Sequence, residues 1–183
     1  MYVGVDVGGT NLVAALVSTT GTIEYKVSCP VDKSWSAEET SLQIAKLARK
    51  AVVDGNYPPE KVKAVGIGFP GLVDNKTGYV IKTPNMTFKN TPFRSLFQAE
   101  WNVPVYLGND ANCAAIGEYW TGAAKGCDPA VVVTLAKPVR SFLLAIRPPP
   151  MPVPNVTTTA GSHPLAAPVQ YSPMAAQLAS LPR

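Results

Sequence analysis

Residues 2–29 carry three strand-forming runs with only two and three residues between them. YVGVDVG (2–8) is rich in β-branched residues and ends in glycine. NLVAALVS (11–18) follows at once, and TIEYKVSC (22–29) alternates after Gly21. Gaps that short admit only hairpins, so the chain opens with an antiparallel meander. SAEETSLQIAKLARKAVVDG (36–55) has helical spacing: Leu42, Ile44, Ala45, Leu47, Ala48, Ala51 and Val52 fall on one broad stripe. Ser36 with Glu39 makes a capping box before it, and Gly55 is a stop after it.

KVKAVGIGFPG (61–71) reads as a buried strand entering a Gly-Pro-Gly loop, and GYVIKTPN (78–85) as a short hairpin arm. TPFRSLFQAEWN (91–102) fits a short helix started by Thr91 with Pro92 in its first position. VPVYLGNDANCAAIGEYWTGAAKG (103–126) is strand, turn and helix, with Gly122, Ala123 and Ala124 allowing close packing and Gly126 as the stop. AVVVTL (130–135) is a further buried strand. The order βββαβαβαβ is an antiparallel meander followed by parallel crossovers, an α/β layer with a mixed sheet.

That grammar stops at Ala136. Residues 137–183 hold ten of the eighteen prolines and four basic residues but no acidic one, whereas residues 1–136 hold twelve of each sign. The net charge of +4 therefore belongs to the tail. Proline at that density forbids a central strand or a long helix. SFLLAI (141–146) is apolar but short, and the chain from about 147 is expected to be disordered. The expected organisation is a folded lobe, 1–136, and a low-complexity Pro/Ala-rich tail, 137–183. Scattered Arg with only Phe142 and Tyr171 beside them makes no nucleic-acid patch. Cys29, Cys113, Cys127 and the single His163 lack zinc-site spacing, and three reduced thiols fit a cytoplasmic protein. The N-terminal run has no basic leader and is interrupted by Asp6, so it reads as a strand and not as a signal peptide. No run nears the roughly 20 apolar residues of a membrane span.

Three stretches place chemistry at strand ends. In DVGGTN, Gly8 and Gly9 let backbone N–H groups approach an anion, Thr10 adds a hydroxyl and Asn11 an amide. Asp6 is placed to hold Mg²⁺ directly or through water. The same residues also make a plain hairpin turn, and they match neither common phosphate-loop pattern. Asn109 and Asp110 lie between a strand end and a helix start, where open α/β sheets bind ligands. A carboxylate there takes the proton of a hydroxyl attacking a phosphoryl group, or serves only as a helix N-cap. Gly68, Pro70 and Gly71 make a rigid turn, and Asn85 follows Pro84. Both segments offer polar groups to a polyhydroxylated ligand, or are ordinary surface turns.

In this order and at these distances, GVDVGGTNLVAALV, GIGFPGLVD…TGYVIKTPNM and PVYLGNDANCAAIGEYWTGAAKG closely resemble the ROK family, and more narrowly its bacterial-type glucokinases. The resemblance covers about residues 2–135. It implies an actin-like, ribonuclease-H-like ATPase lobe and an ATP- and Mg²⁺-dependent sugar kinase. It further implies that Asp6, Gly8, Gly9, Thr10 and Asn11 form the first phosphate loop, although many members have Lys where this chain has Asn11. Thr134 would begin the second loop, and Asp110 would be the catalytic base. Gly71, Asn85, Asn109 and Asp110 would contact the hexose, glucose first among the candidates.

In the family, the strand matching Val131–Leu135 runs into a Gly-rich phosphate loop, yet no glycine occurs here between Gly126 and Gly161. The expectation is the N-terminal lobe of an ATP:hexose phosphotransferase joined to an unrelated tail, truncated and with little activity of its own. One alternative is an inactive fragment or a sugar- or phosphate-binding module. A remoter one is a ROK transcriptional regulator, which would need a helix-turn-helix ahead of a loop that here starts at residue 6. Apolar surface that a second lobe would cover predicts a homodimer or aggregation.

Overall fold

A computed structural model describes residues 1–84, 86–127, 130–136 and 140–146. The meander forms as the short gaps require. Strands β1 (Tyr2–Val7) and β2 (Asn11–Val17) pair antiparallel from Tyr2↔Val17 to Val7↔Leu12. β3 (Ile23–Pro30) pairs antiparallel with β2, with a register shift between Leu16 and Val17. Alternation puts Val3, Val5, Val7, Leu12, Ala14 and Leu16 on one face, and all six are buried.

Helix α1 (Ala37–Asp54) lays Ile44, Ala45, Leu47, Ala48, Ala51 and Val52 into that same core. Its capping box is complete: the Glu39 N–H donates to Ser36 Oγ at 3.1 Å, and the Ser36 N–H donates to Glu39 Oε2 at 2.7 Å. Gly55 ends the helix for reasons of space. Its φ is −78°, and a Cβ there would lie 2.9 Å from Leu16 Cδ2 and 3.0 Å from Tyr25 Cβ. The left-handed residue is the next one, Asn56, at φ 53°.

α1 carries the chain across to β4 (Val65–Phe69), which runs parallel to β1. A second crossover contains a small antiparallel sheet, β5 (Leu72–Asp74), β6 (Tyr79–Lys82) and β7 (Lys89–Thr91), and then helix α2 (Phe93–Glu100). It delivers β8 (Val105–Asn109) parallel to β4. The large sheet has the order β3-β2-β1-β4-β8, with α1 and α2 packed side by side. Phe69, Phe93 and Phe97 are fully buried in the core. The Phe69 and Phe93 rings meet edge to face at 4.6 Å, worth roughly 0.5–1.5 kcal/mol beyond the area they bury. This mixed sheet is the actin-like arrangement expected from the sequence.

Some local expectations are corrected. Thr91 does not start α2: it pairs with Val80 in β7, and its hydroxyl donates to the Lys89 carbonyl. Pro92 takes the cap position, with no side-chain capping bond. The chain of 61–71 forms a strand only over β4, preceded by a turn of 3-10 helix at Pro59–Lys61. β8 runs straight into helix α3 (Asp110–Trp120) with no intervening turn. α3 ends six residues before Gly126, where the Gly122 N–H reaches back five residues to the Gly117 carbonyl and the Ala124 N–H six residues to that of Glu118. Gly122, Ala123 and Ala124 thus follow the helix.

The chain divides into two compact units, the first being Met1–Cys113 and the second beginning at Ala114. Within the second, β9 (Ala130–Ala136) pairs antiparallel with β10 (Arg140–Ile146). The apolar run SFLLAI is therefore a strand, an element that its shortness had concealed. The expected disorder from about residue 147 lies outside the described residues. Among those described, no helix is long and apolar enough to cross a membrane.

Candidate active site

Parallel register places Asp6 of β1, Gly68 of β4 and Gly108 of β8 in one row across the sheet. The rows beside it, Val5↔Ile67↔Leu107 and Val3↔Val65↔Val105, are buried in the core. Alternation therefore turns the Asp6 row to the opposite face. From β1 the chain turns to one side into β2, and from β4 it goes on to the other side, to β8. The end of β1 and β4 is thus a topological switch point, the usual place for a ligand in an open α/β sheet.

Gly108 lets the first turn of α3 descend onto the sheet, and over Gly68 that turn comes to ordinary contact distance. A Cβ on Gly68 would stand 3.6 Å from Asp110 Cα and 3.8 Å from Cys113 Cβ. One on Gly108 would stand 2.7 Å from Cys113 Sγ, closer than real contacts allow. Asp110, the first residue of α3, thereby sits over Gly68, beside Asp6 in the same row and near enough for its charge to act on Asp6. Burial, and secondarily the Asp110 charge, raises the Asp6 carboxyl above its ordinary value, although Asp6 still opens to solvent. Burial, then Asp110, then Asp6, likewise pushes the Cys113 thiol up. Two carboxylates in one field are what a hard divalent cation would relieve. Among the described residues no three His, Cys, Asp or Glu are grouped to hold a metal. A cation here would complete its shell from water and phosphate, as Mg²⁺ habitually does.

Asp110 is not the cap of α3. Asn109 is: its Oδ1 accepts the Asn112 N–H at 3.0 Å. Asp110 Oδ1 accepts the Ala111 N–H at 2.8 Å and the Asn109 side-chain N–H at 3.0 Å. The Asp110 carboxylate thus stays at the crevice instead of closing the helix end.

The turn after β1 is a hairpin as well as a candidate phosphate loop. The Gly8 N–H donates to the Asn11 carbonyl at 3.0 Å, and a Cβ on Gly8 would meet that oxygen at 2.7 Å. Gly8 is needed for this close approach, but its N–H is spent on the turn. Gly9 and the exposed Thr10 are left to face an anion, with Asn11 Nδ2 donating to Thr10 Oγ1 at 3.3 Å. Gly71, at φ 103°, is fixed by geometry: a Cβ would strike the Lys82 carbonyl oxygen and sit 3.1 Å from Thr83 Cα. Its carbonyl accepts from Asn109 Nδ2 at 2.8 Å, which joins two expected sugar contacts directly. Asn85 lies outside the described residues. Thr134 pairs with Phe142 in the β9–β10 hairpin of the second unit. Gly108 and Cys113 were missed in the sequence. The signal was available in the period of two that sets Gly68 and Gly108 on the Asp6 face.

The ROK family model matches residues 2–138. A glucokinase of Halalkalibacterium halodurans is 32% identical over 144 residues, which cover 79% of this chain and 44% of that protein. A xylose repressor of Caldicellulosiruptor bescii is 30% identical over 120 residues, covering 66% of this chain and 30% of that protein. The crystal structure of a ROK family glucokinase from Streptomyces griseus in complex with glucose and AMPPNP matches with a TM-score of 0.65 at 32% identity, over 80% of this chain and 44% of that one. The chain spans less than half the length of these relatives.

Proposed function

Because the chain belongs to the ROK family, we propose that the Asp6–Asp110 crevice serves phosphoryl transfer from ATP to a hexose hydroxyl, with glucose first among the hexoses. The observation that carries this is Asp6 in one row with Gly68 and Gly108 at the switch point, with Asp110 over that row and its charge felt at Asp6. The two play different parts. Asp110, free of the capping role, accepts the proton of the attacking hydroxyl. Asp6 holds Mg²⁺ directly or through water, and the ion when bound supplies charge neutralisation to the phosphate oxygens. Gly9 and Thr10 offer donors to the phosphate, with Gly8 and Asn11 closing the turn that presents them. By the family resemblance Gly71 and Asn85 would contact the sugar and Thr134 would begin a second phosphate loop, whereas here Thr134 lies within strand β9, paired with Phe142. The glucose and AMPPNP bound by the Streptomyces griseus relative support both substrates. A cytoplasmic location accords with such substrates.

The domain division at 136/137 remains part of this proposal. So does self-association through the open sheet face, where Tyr106 is 65% exposed and Gly66 has no neighbour over it. A second reading, a sugar-binding module without catalysis, is favoured by the likeness to a xylose repressor. Two measurements on the 183-residue polypeptide separate these readings. Calorimetry is expected to show glucose binding that Asp110→Ala abolishes, and a coupled assay is expected to show MgATP-dependent phosphorylation far below ordinary kinase rates. Glucose binding without any transfer supports the module; absence of glucose binding removes both.

A further inference from the structure

Asn109 makes three hydrogen bonds that use up its donors. Oδ1 accepts the Asn112 N–H at 3.0 Å, while Nδ2 donates to the Gly71 carbonyl at 2.8 Å and to Asp110 Oδ1 at 3.0 Å. A carboxamide has two N–H hydrogens and one oxygen. Two of its partners here only accept and one only donates, so the chemistry fixes which way the amide points. Reversed, its oxygen would face two other oxygens.

From this saturated arrangement we propose that Asn109 is a positioning residue for Asp110. It holds Oδ1, fixes the rotation of the carboxylate, and leaves Oδ2 as the oxygen presented to the substrate hydroxyl. The proposal rests on the reading of Asp110 as the base. Oδ1 has two donors, the Ala111 and Asn109 N–H groups, whereas Oδ2 has none among the described residues. Hydrogen bonds occupy and hold Oδ1, so Oδ2 is the oxygen left free to accept from the substrate hydroxyl. The third bond braces this device against the β4–β5 turn at Gly71, a position that tolerates no side chain. The resemblance to sugar kinases gave Asn109 a direct sugar contact. With both N–H hydrogens engaged, what it still offers a sugar is one acceptor lone pair on Oδ1.

The test is the side-chain torsion χ1 of Asp110, read from three-bond NMR couplings in the isotopically labelled 183-residue chain. A single rotamer is expected in the wild type. Asn109→Ser keeps an acceptor for the Asn112 N–H, but its single O–H on a shorter side chain cannot replace both N–H donors of the amide, so rotamer averaging at Asp110 is expected with the Asn112 amide still protected. Asn109→Thr repeats the measurement should the serine variant fray. Calorimetry on the same variants is expected to show glucose affinity reduced by less than about tenfold, the worth of one net hydrogen bond. An Asp110 rotamer unchanged in both variants overturns the proposal, whatever happens to glucose affinity. If even the wild type binds no glucose, the kinase reading fails while the coupling result still decides the role of Asn109.

Discussion

Asp6 carries a cost in the folded state, and that cost has a pH signature. Its carboxyl is raised above 3.8 by burial first and by Asp110 second, so the native state holds its proton longer than the unfolded chain does. Below 3.8 both states are protonated and nothing is lost. As pH rises through that value stability falls, and the full cost is present above the raised native value. Asp6→Asn is therefore expected to melt higher than wild type at neutral pH, with the difference vanishing in acid. Thermal melts at several pH values check this; a variant less stable at neutral pH would contradict it. Added Mg²⁺ is expected to raise the wild-type melting temperature and leave Asp6→Asn unmoved. Gly71→Ala is expected to lose about 1–3 kcal/mol in urea titrations, since φ 103° is strained for any L side chain. At this scale the sequence made Asp6 and Asp110 legible, because carboxylates at strand ends stand out. It left open whether Asp110 merely caps its helix, because the cap depends on which of two adjacent side chains turns back, and Asn109 does.

Elements with their own local signals were readable. α1 announces itself by its stripe and by the Ser36–Glu39 box, and it begins and ends where those residues put it. Ser36→Ala should cost about 1 kcal/mol, seen as a lower urea midpoint. Thr91→Ala should cost α2 little by comparison, since Thr91 makes no capping bond to the helix. The small sheet was only partly legible. β5 and β7 are three residues each, too short for a period of two to show, and their pairing with β6 is decided by tertiary contacts. Arg94 illustrates such a contact: its guanidinium donates to the Lys76 carbonyl at 3.0 Å and to the Asn75 carbonyl at 2.7 Å, clamping the β5–β6 turn. β10 escaped for a related reason, because only the five residues Phe142–Ile146 of its seven are apolar, without alternation, and it sits among prolines.

For the molecule as a whole, the connection types followed from gap lengths, two hairpins and then crossovers, whereas the pairing of β4 with β1 and not β3 did not. The meeting of Asp6 with Asp110 did not follow so directly, since the two are far apart in sequence. It depends on parallel register and on Gly108 leaving room for the first turn of α3. The central claim is that this crevice takes a metal-bound nucleotide phosphate. Mn²⁺ with AMPPNP, titrated into the ¹⁵N-labelled chain, tests it most directly, because the paramagnetic ion broadens nearby amide resonances wherever it settles. Selective broadening of Gly8–Thr10, Gly68 and Asn109–Cys113 is the expected result. Broadening confined to exposed acids such as Asp32 and Asp74, with the crevice amides still sharp, would contradict it.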